Sequence, residues 1–154
     1  MSVNVLTDIG WIRGVLHVPA LQALTDYLHV AGPVLKLTAA ELPGEFGPRA
    51  FLALPRAAVH LVTPLLSDAL LEPLGLIGRT VPRDVECVLP GGVLNGRMDV
   101  LVNVRVSDYL KQQTGLLLLH DAVLVPPGKP RDDPAAEGLG HAIVNLEHLI
   151  GISE

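Results

Sequence analysis

The chain has 154 residues, 49% of them apolar and only 3% aromatic, with a formal net charge of −5. That length suits one ordinary domain or two very small ones, and the low aromatic content requires an aliphatic core. The charge divides as −1 over residues 1–80 and −4 over residues 81–154, without a basic run, which disfavours an electrostatic nucleic-acid surface. No apolar stretch approaches the ~18–20 residues of a membrane span, and the first residues lack a signal-peptide pattern. Cys87 is the single cysteine, so no intramolecular disulfide can form. The expectation is a soluble cytoplasmic protein.

In chain order, Val3, Val5 and Leu6 predict a strand that turns at Asp8-Ile9-Gly10, and a second strand runs from Trp11 to Val18. Gly14 lies inside that second strand, where an interior glycine marks a bulge or sharp bend. Thr25 is the predicted N-cap of a short helix over residues 25–30, stopped by Gly32-Pro33. Val34-Leu35-Lys36-Leu37, continuing to Leu42, predicts a strand buried on both faces. Ala50-Phe51-Leu52-Ala53-Leu54 and Ala58-Val59-His60-Leu61-Val62 form a predicted hairpin broken at Pro55-Arg56. Pro64 and Pro73 bracket a predicted connecting helix whose Leu65, Leu66, Ala69 and Leu70 share one apolar face.

The second half repeats the first. Thr25-Asp26-Tyr27-Leu28 returns as Ser107-Asp108-Tyr109-Leu110, an offset of 82 that holds without a gap from Val3/Val85 through Gly10/Gly92, Gly14/Gly96 and Leu37/Leu119 to Leu42/Leu124. It predicts strands over residues 84–89 and 93–100 around Pro90-Gly91-Gly92, a helix over 107–113 capped by Ser107, and a strand from Leu116-Leu117-Leu118-Leu119 to Leu124. The closing hairpin, His141-Ala142-Ile143-Val144 and His148-Leu149-Ile150-Gly151-Ile152, matches at an offset of 90. The added length is an exposed, Pro- and charge-rich loop over residues 126–134. The units are therefore residues 1–63 and 81–154, joined by a helical connector over 64–80.

Five short strands per unit, a bend in the second and a tight terminal hairpin describe an SH3-like small barrel. Val85-x-Cys87-Val88-Leu89-x-x-Gly92-x-x-x-Gly96 and Leu117-x-Leu119-x-Asp121-Ala122 resemble the first motif of the Sm-like family. Ala142-Ile143-Val144-Asn145-x-x-His148-Leu149-Ile150-x-Ile152 is similar to its second motif. The likeness covers about 70 residues, with a fainter copy in residues 3–63. It implies a mainly β chain of two tandem five-stranded Sm-like barrels whose edge strands pair with neighbours. It does not carry over the family's RNA site. The uracil-holding aspartate and asparagine have no clear match, residues 103–113 stand in that region as an insertion, and Asn145-Leu146 replaces the second motif's Arg-Gly.

Candidate sites follow from residue chemistry. The apolar edges Phe51, Leu52, Leu54, Val59, Leu61, Val62, Leu149, Ile150 and Ile152 carry few charges, and unpaired edges are pairing surfaces. Asp26, Tyr27, Asp108 and Tyr109 are retained in both copies, which favours a packing role over a binding one. Arg97, Arg105 and Lys111 could form a small anionic-ligand patch, although Asp99, Asp108 and Asp121 lie close in sequence. His120, Asp121, His141, Glu147 and His148 could converge, but none shows compact metal-ligand spacing; no metal or cofactor is expected. Cys87 matches Val5 and reads as a small core hydrophobe. Without a nucleophile elbow, phosphate loop or cofactor fingerprint, the expected function is non-catalytic assembly or adaptor work. The partners would be further copies of the chain and another protein. Alternatives are an RNA- or DNA-binding module and a small anionic-ligand sensor.

Overall fold

The computed structural model describes residues 1–44, 46–65, 78–113 and 115–154. The predicted connecting helix falls mainly on residues 66–77, outside the described residues.

The first half runs β1 (Ser2–Thr7), β2 (Gly10–Leu16), α1 (Leu24–Val30), β3 (Val34–Glu41), β4 (Pro48–Pro55) and β5 (Leu61–Pro64). The second runs β6 (Thr80–Leu89), β7 (Gly92–Leu101), α2 (Val106–Gln112), β8 (Leu116–Val125), β9 (Glu137–Asn145) and β10 (Gly151–Ser153). A 3-10 turn, Arg56–Ala58 or Leu146–His148, links the last two strands of each half, and the predicted closing hairpins are corrected: the turn sends the chain to a different neighbour, so β4 pairs with β3 but β5 with β1, and β9 pairs with β8 but β10 with β6. The mainly β architecture is as expected. The strands join in one open antiparallel sheet of order β10-β6-β7-β8-β9-β5-β1-β2-β3-β4, where two tandem five-stranded barrels were expected.

The 82-residue offset extends to backbone conformation. Pairing of β2 with β3 shifts register between Arg13 and Val15, and pairing of β7 with β8 shifts between Asn95 and Arg97, the matched positions. Gly14 and Gly96 sit at these bulges. A side chain on either would place its Cβ 3.2 Å from the Cβ of Leu37 or Leu119, which is why both halves keep glycine there. Opposite the bulges, Ala39 and Asp121 share a left-handed φ of 48°, uncommon for residues with a Cβ.

Two predictions are corrected here. The helices are capped at Ala23 and Arg105, neither by its own side chain, so Thr25 and Ser107 lie inside the first turns. The free N–H of Val106 instead donates to Glu154 Oε1 at 3.0 Å, a carboxylate at a helix start brought from 48 residues away. The third strand is buried on both faces only in the second half: Leu116 to Leu119 are all buried, while Val34 and Lys36 of β3 are exposed.

Two clusters of buried apolar side chains account for this difference. One gathers Val3, Val5, Ile12, Leu16, Leu24, Leu35 and Leu37 of the first half, together with Leu116, Leu118 and Ile143. The other gathers Val85, Cys87, Leu94, Met98, Tyr109, Leu117, Leu119 and Val144 of the second half, together with Leu6 and Leu61. Strand β8 thus sends alternate leucines to opposite cores, as the period of two requires.

Candidate functional site

Three places in the sheet carry side chains beyond what packing needs: the junction of the halves, the two outer edges, and a polar cluster beside the second bulge.

At the junction, β5 is hydrogen-bonded to β1 on one side and to β9 on the other, with Leu61 opposite Val144 and Val62 opposite Ile143. Leu61 (0% exposed), Val62 (2%) and Val59 (4%) are therefore interior. The expected pairing edge of the first half is taken by β9 of the second, so this edge joins the two halves of one chain. Asn145, also buried, clamps the seam: its Nδ2 donates to the carbonyls of Val59 (2.9 Å) and Arg56 (3.3 Å), while its Oδ1 accepts from Glu147 N–H. Thr63 adds a bond from its hydroxyl to the Leu139 carbonyl. The His148 ring lies 4.3 Å from that of His60, and His148 Nε2 is 2.5 Å from the Ala57 carbonyl. His60 is buried with Nε2 2.8 Å from Asp8 Oδ1, although neither ring nitrogen has a well-aligned hydrogen bond.

The outer edges are β4 and β10. On β4, Phe51 is exposed, Leu52 is half-buried against the first core and Leu54 is buried. Near β10, Leu149 and Ile152 pack against the second core, and Ile150 is exposed.

The Asp-Tyr turns divide by residue. Tyr109 is buried in the second core, and burial, helped by Asp99, raises its pKa above the ordinary phenol value. Tyr27 is half-buried against the first core. Asp26 and Asp108 are solvent-exposed, and Asp108 pairs with Lys111 at 3.2 Å. Both tyrosines therefore pack, and both aspartates face water.

Two of the three cations of the suggested patch are paired with carboxylates. Arg97 pairs with Asp121, and Lys111 with Asp108, while Arg105 occupies the N-cap position of α2. A cavity of about 420 Å³ beside Arg97 is lined by Asp84, Glu86, Asp121 and Glu154 against Arg97 and Arg131. Four carboxylates facing two guanidiniums do not favour an anion. Cys87 is buried, and burial pushes its thiol up to about 12, which leaves it protonated and inert.

The histidines separate into two pairs. His148 joins His60 at the junction, and Glu147 lends its N–H to Asn145. His120 and His141 face each other across β8 and β9, with Nδ1 atoms 3.2 Å apart and rings nearly perpendicular. The other nitrogen of His120 lies 3.7 Å from Asp99 Oδ2. Burial and the neighbouring His120 lower the His141 pKa, partly opposed by Asp121. Pro82, Arg97, Asp99, His120, Asp121 and His141 line one open cleft of about 400 Å³. Among the described residues, no three His, Cys, Asp or Glu side chains are gathered so that they could hold a metal ion.

This cluster belongs to one half only. By the 82- and 90-residue offsets, Arg97, Asp99, His120, Asp121 and His141 occupy the places of Val15, His17, Thr38, Ala39 and Phe51. The matched frame in the first half folds with those residues, so the fold itself does not require the polar set. Sequence reasoning named both histidines but missed Asp99 as their companion and Asn145 as a clamp. Position-by-position comparison of the halves would have flagged both.

No family model, curated protein or solved structure matches the chain. No helix among the described residues is long and apolar enough to cross a membrane.

Proposed function

We propose that the chain is a non-catalytic assembly or adaptor protein, built as a tandem duplication of an Sm-like five-stranded barrel, that associates with further copies of itself through its two outer strands. The supporting observation is the junction. Strand β5 pairs with β9 inside the chain, while β4, the matched counterpart of β9, and β10, the counterpart of β5, each have a free side. Repeating the junction between chains would set β10 of one copy against β4 of the next, with Gly151 opposite Leu54 and Ile152 opposite Ala53. Such a contact joins unlike surfaces, and it closes into a ring if the rotation allows. A sparsely charged edge is the expected substrate for that pairing.

The contact between chains should be weaker than the one within. Pro55 holds the place of the Asn145 clamp, and Lys36 holds the place of the buried Leu118. Association should therefore depend on concentration in the micromolar range. Light scattering across that range tests it, with Ala53→Asp as the variant that places a charge on the exposed edge. Larger assemblies of wild type that disappear in the variant support the reading. A wild-type monomer at every concentration removes it.

A further inference from the structure

We propose that His120 and His141 form a two-nitrogen site for a late first-row divalent cation, copper or zinc in chemistry, with Asp99 as the residue that positions His120. Three observations on different elements carry the proposal.

The first is spacing. The two Nδ1 atoms stand 3.2 Å apart, and two nitrogens on a tetrahedral ion, each at roughly 2.0–2.1 Å, are separated by about 3.3 Å. The nitrogens are already at the distance a shared ion requires. In the free chain His141 Nδ1–H donates to His120 Nδ1 across this contact; once the His141 proton sits on Nε2 instead, tilting each ring by about 35°, half the difference between a straight and a tetrahedral angle, brings both lone pairs onto one point. The bordering cleft of about 400 Å³ leaves room for that tilt and for water on the remaining coordination positions.

The second is the tautomer. The Asp99 carboxylate faces Nε2 of His120, so it favours the proton on that nitrogen and leaves Nδ1 with its lone pair. A carboxylate behind a ligating imidazole holds the ring in orientation and raises its basicity. Arg97, the nearby cation, is tied to Asp121 and is partly compensated.

The third is confinement to one half. Thr38 and Phe51 face each other in β3 and β4 where His120 and His141 do so in β8 and β9. His17 touches Thr38, with Nε2 2.9 Å from Oγ1, where Asp99 faces His120. The same frame therefore holds with one ligand pair absent. Neutral imidazole suits copper, nickel and zinc rather than magnesium or calcium, and copper should bind most tightly.

The test uses the full, untagged chain titrated with Cu2+ and with Zn2+ by calorimetry, together with the electron paramagnetic resonance of the copper form. The expected result is one cation per chain, tighter for Cu2+, with a spectrum showing two imidazole nitrogens. His120→Thr and His141→Phe install the residues the other half carries at those places. Each should weaken binding by tenfold or more, whereas His148→Ala at the junction should leave it unchanged. Asp99→Asn should weaken it by roughly tenfold, the low end of the cost of losing an orienting carboxylate. If a variant fails to fold, copper broadening of the wild-type imidazole proton resonances decides instead: those of His120 and His141 should disappear first. Absence of stoichiometric binding, affinity unmoved by both histidine substitutions, or broadening that begins at His60 and His148 overturns the proposal.

Discussion

Strands β3 and β8 hold the same place in their halves, pair with corresponding neighbours and bend opposite matched glycines, Gly14 and Gly96, yet they are buried differently. In β3, Leu35 and Leu37 are buried while Val34 and Lys36 face solvent; in β8, Leu116 to Leu119 are all buried. The second face of β8 is covered by the first half, whose core takes in Leu116 and Leu118. A repeated strand thus acquires a second apolar face only where its copy has a neighbour. Lys36 in place of Leu118 marks the half whose corresponding face is uncovered within the chain.

Exchanging residues between the halves gives the most severe test of this comparison. Leu118→Lys puts a charge into the first core at a site only 8% exposed, and should lower unfolding free energy by about 3 kcal/mol or more. The reciprocal Lys36→Leu, on an exposed position, should change it by no more than about 0.5 kcal/mol. Denaturant melts of the two variants would break the comparison if their losses were alike.

A smaller contrast is expected between the tyrosines. Tyr109→Ala truncates a core side chain and should cost about 3 kcal/mol, whereas Tyr27→Ala, half-buried, should cost about 1–2 kcal/mol. Equal losses would mean that the two turns pack alike despite their different exposure. Near-native stability in both would point back to a binding role.

The smallest expected effect is at Cys87. Cys87→Val copies Val5 and should stay within about 1 kcal/mol of wild type at neutral pH. The alkaline behaviour should differ. The native thiol is raised from the ordinary 9.0 to about 12, so in this window the unfolded chain binds fewer protons than the native one. The contribution is present below pH 9 and is lost as pH rises toward 12. Wild type should show this extra alkaline loss and the valine variant should not. Alkylation of Cys87 at pH 9 should be slow in the native protein and fast in denaturant; equal rates would contradict its burial.

Much of the local structure was legible because it rests on short-range rules. The turns at Asp8-Ile9 and Pro90-Gly91, the bulges at Gly14 and Gly96, and helices within a residue of residues 25–30 and 107–113 all follow from glycine, proline and apolar spacing. At α2 the cap was misplaced because the carboxylate that reaches Val106 comes from Glu154, a partner that no local pattern reveals. The polar cluster was half legible. The histidines stood out by type, but Asp99 joins them only through the register of β7, β8 and β9.

The sequence by itself carried matched positions at offsets of 82 and then 90, and a pattern of short aliphatic strands in each half. Only the tertiary structure decided that β5 is consumed by β9, that β4 and β10 are left as the outer edges, and that His120 meets His141. Side-chain alternation specifies which face of a strand is buried. Which of several similar edges pairs with which depends on shape and clamps such as Asn145, acting between residues some 80 to 90 positions apart.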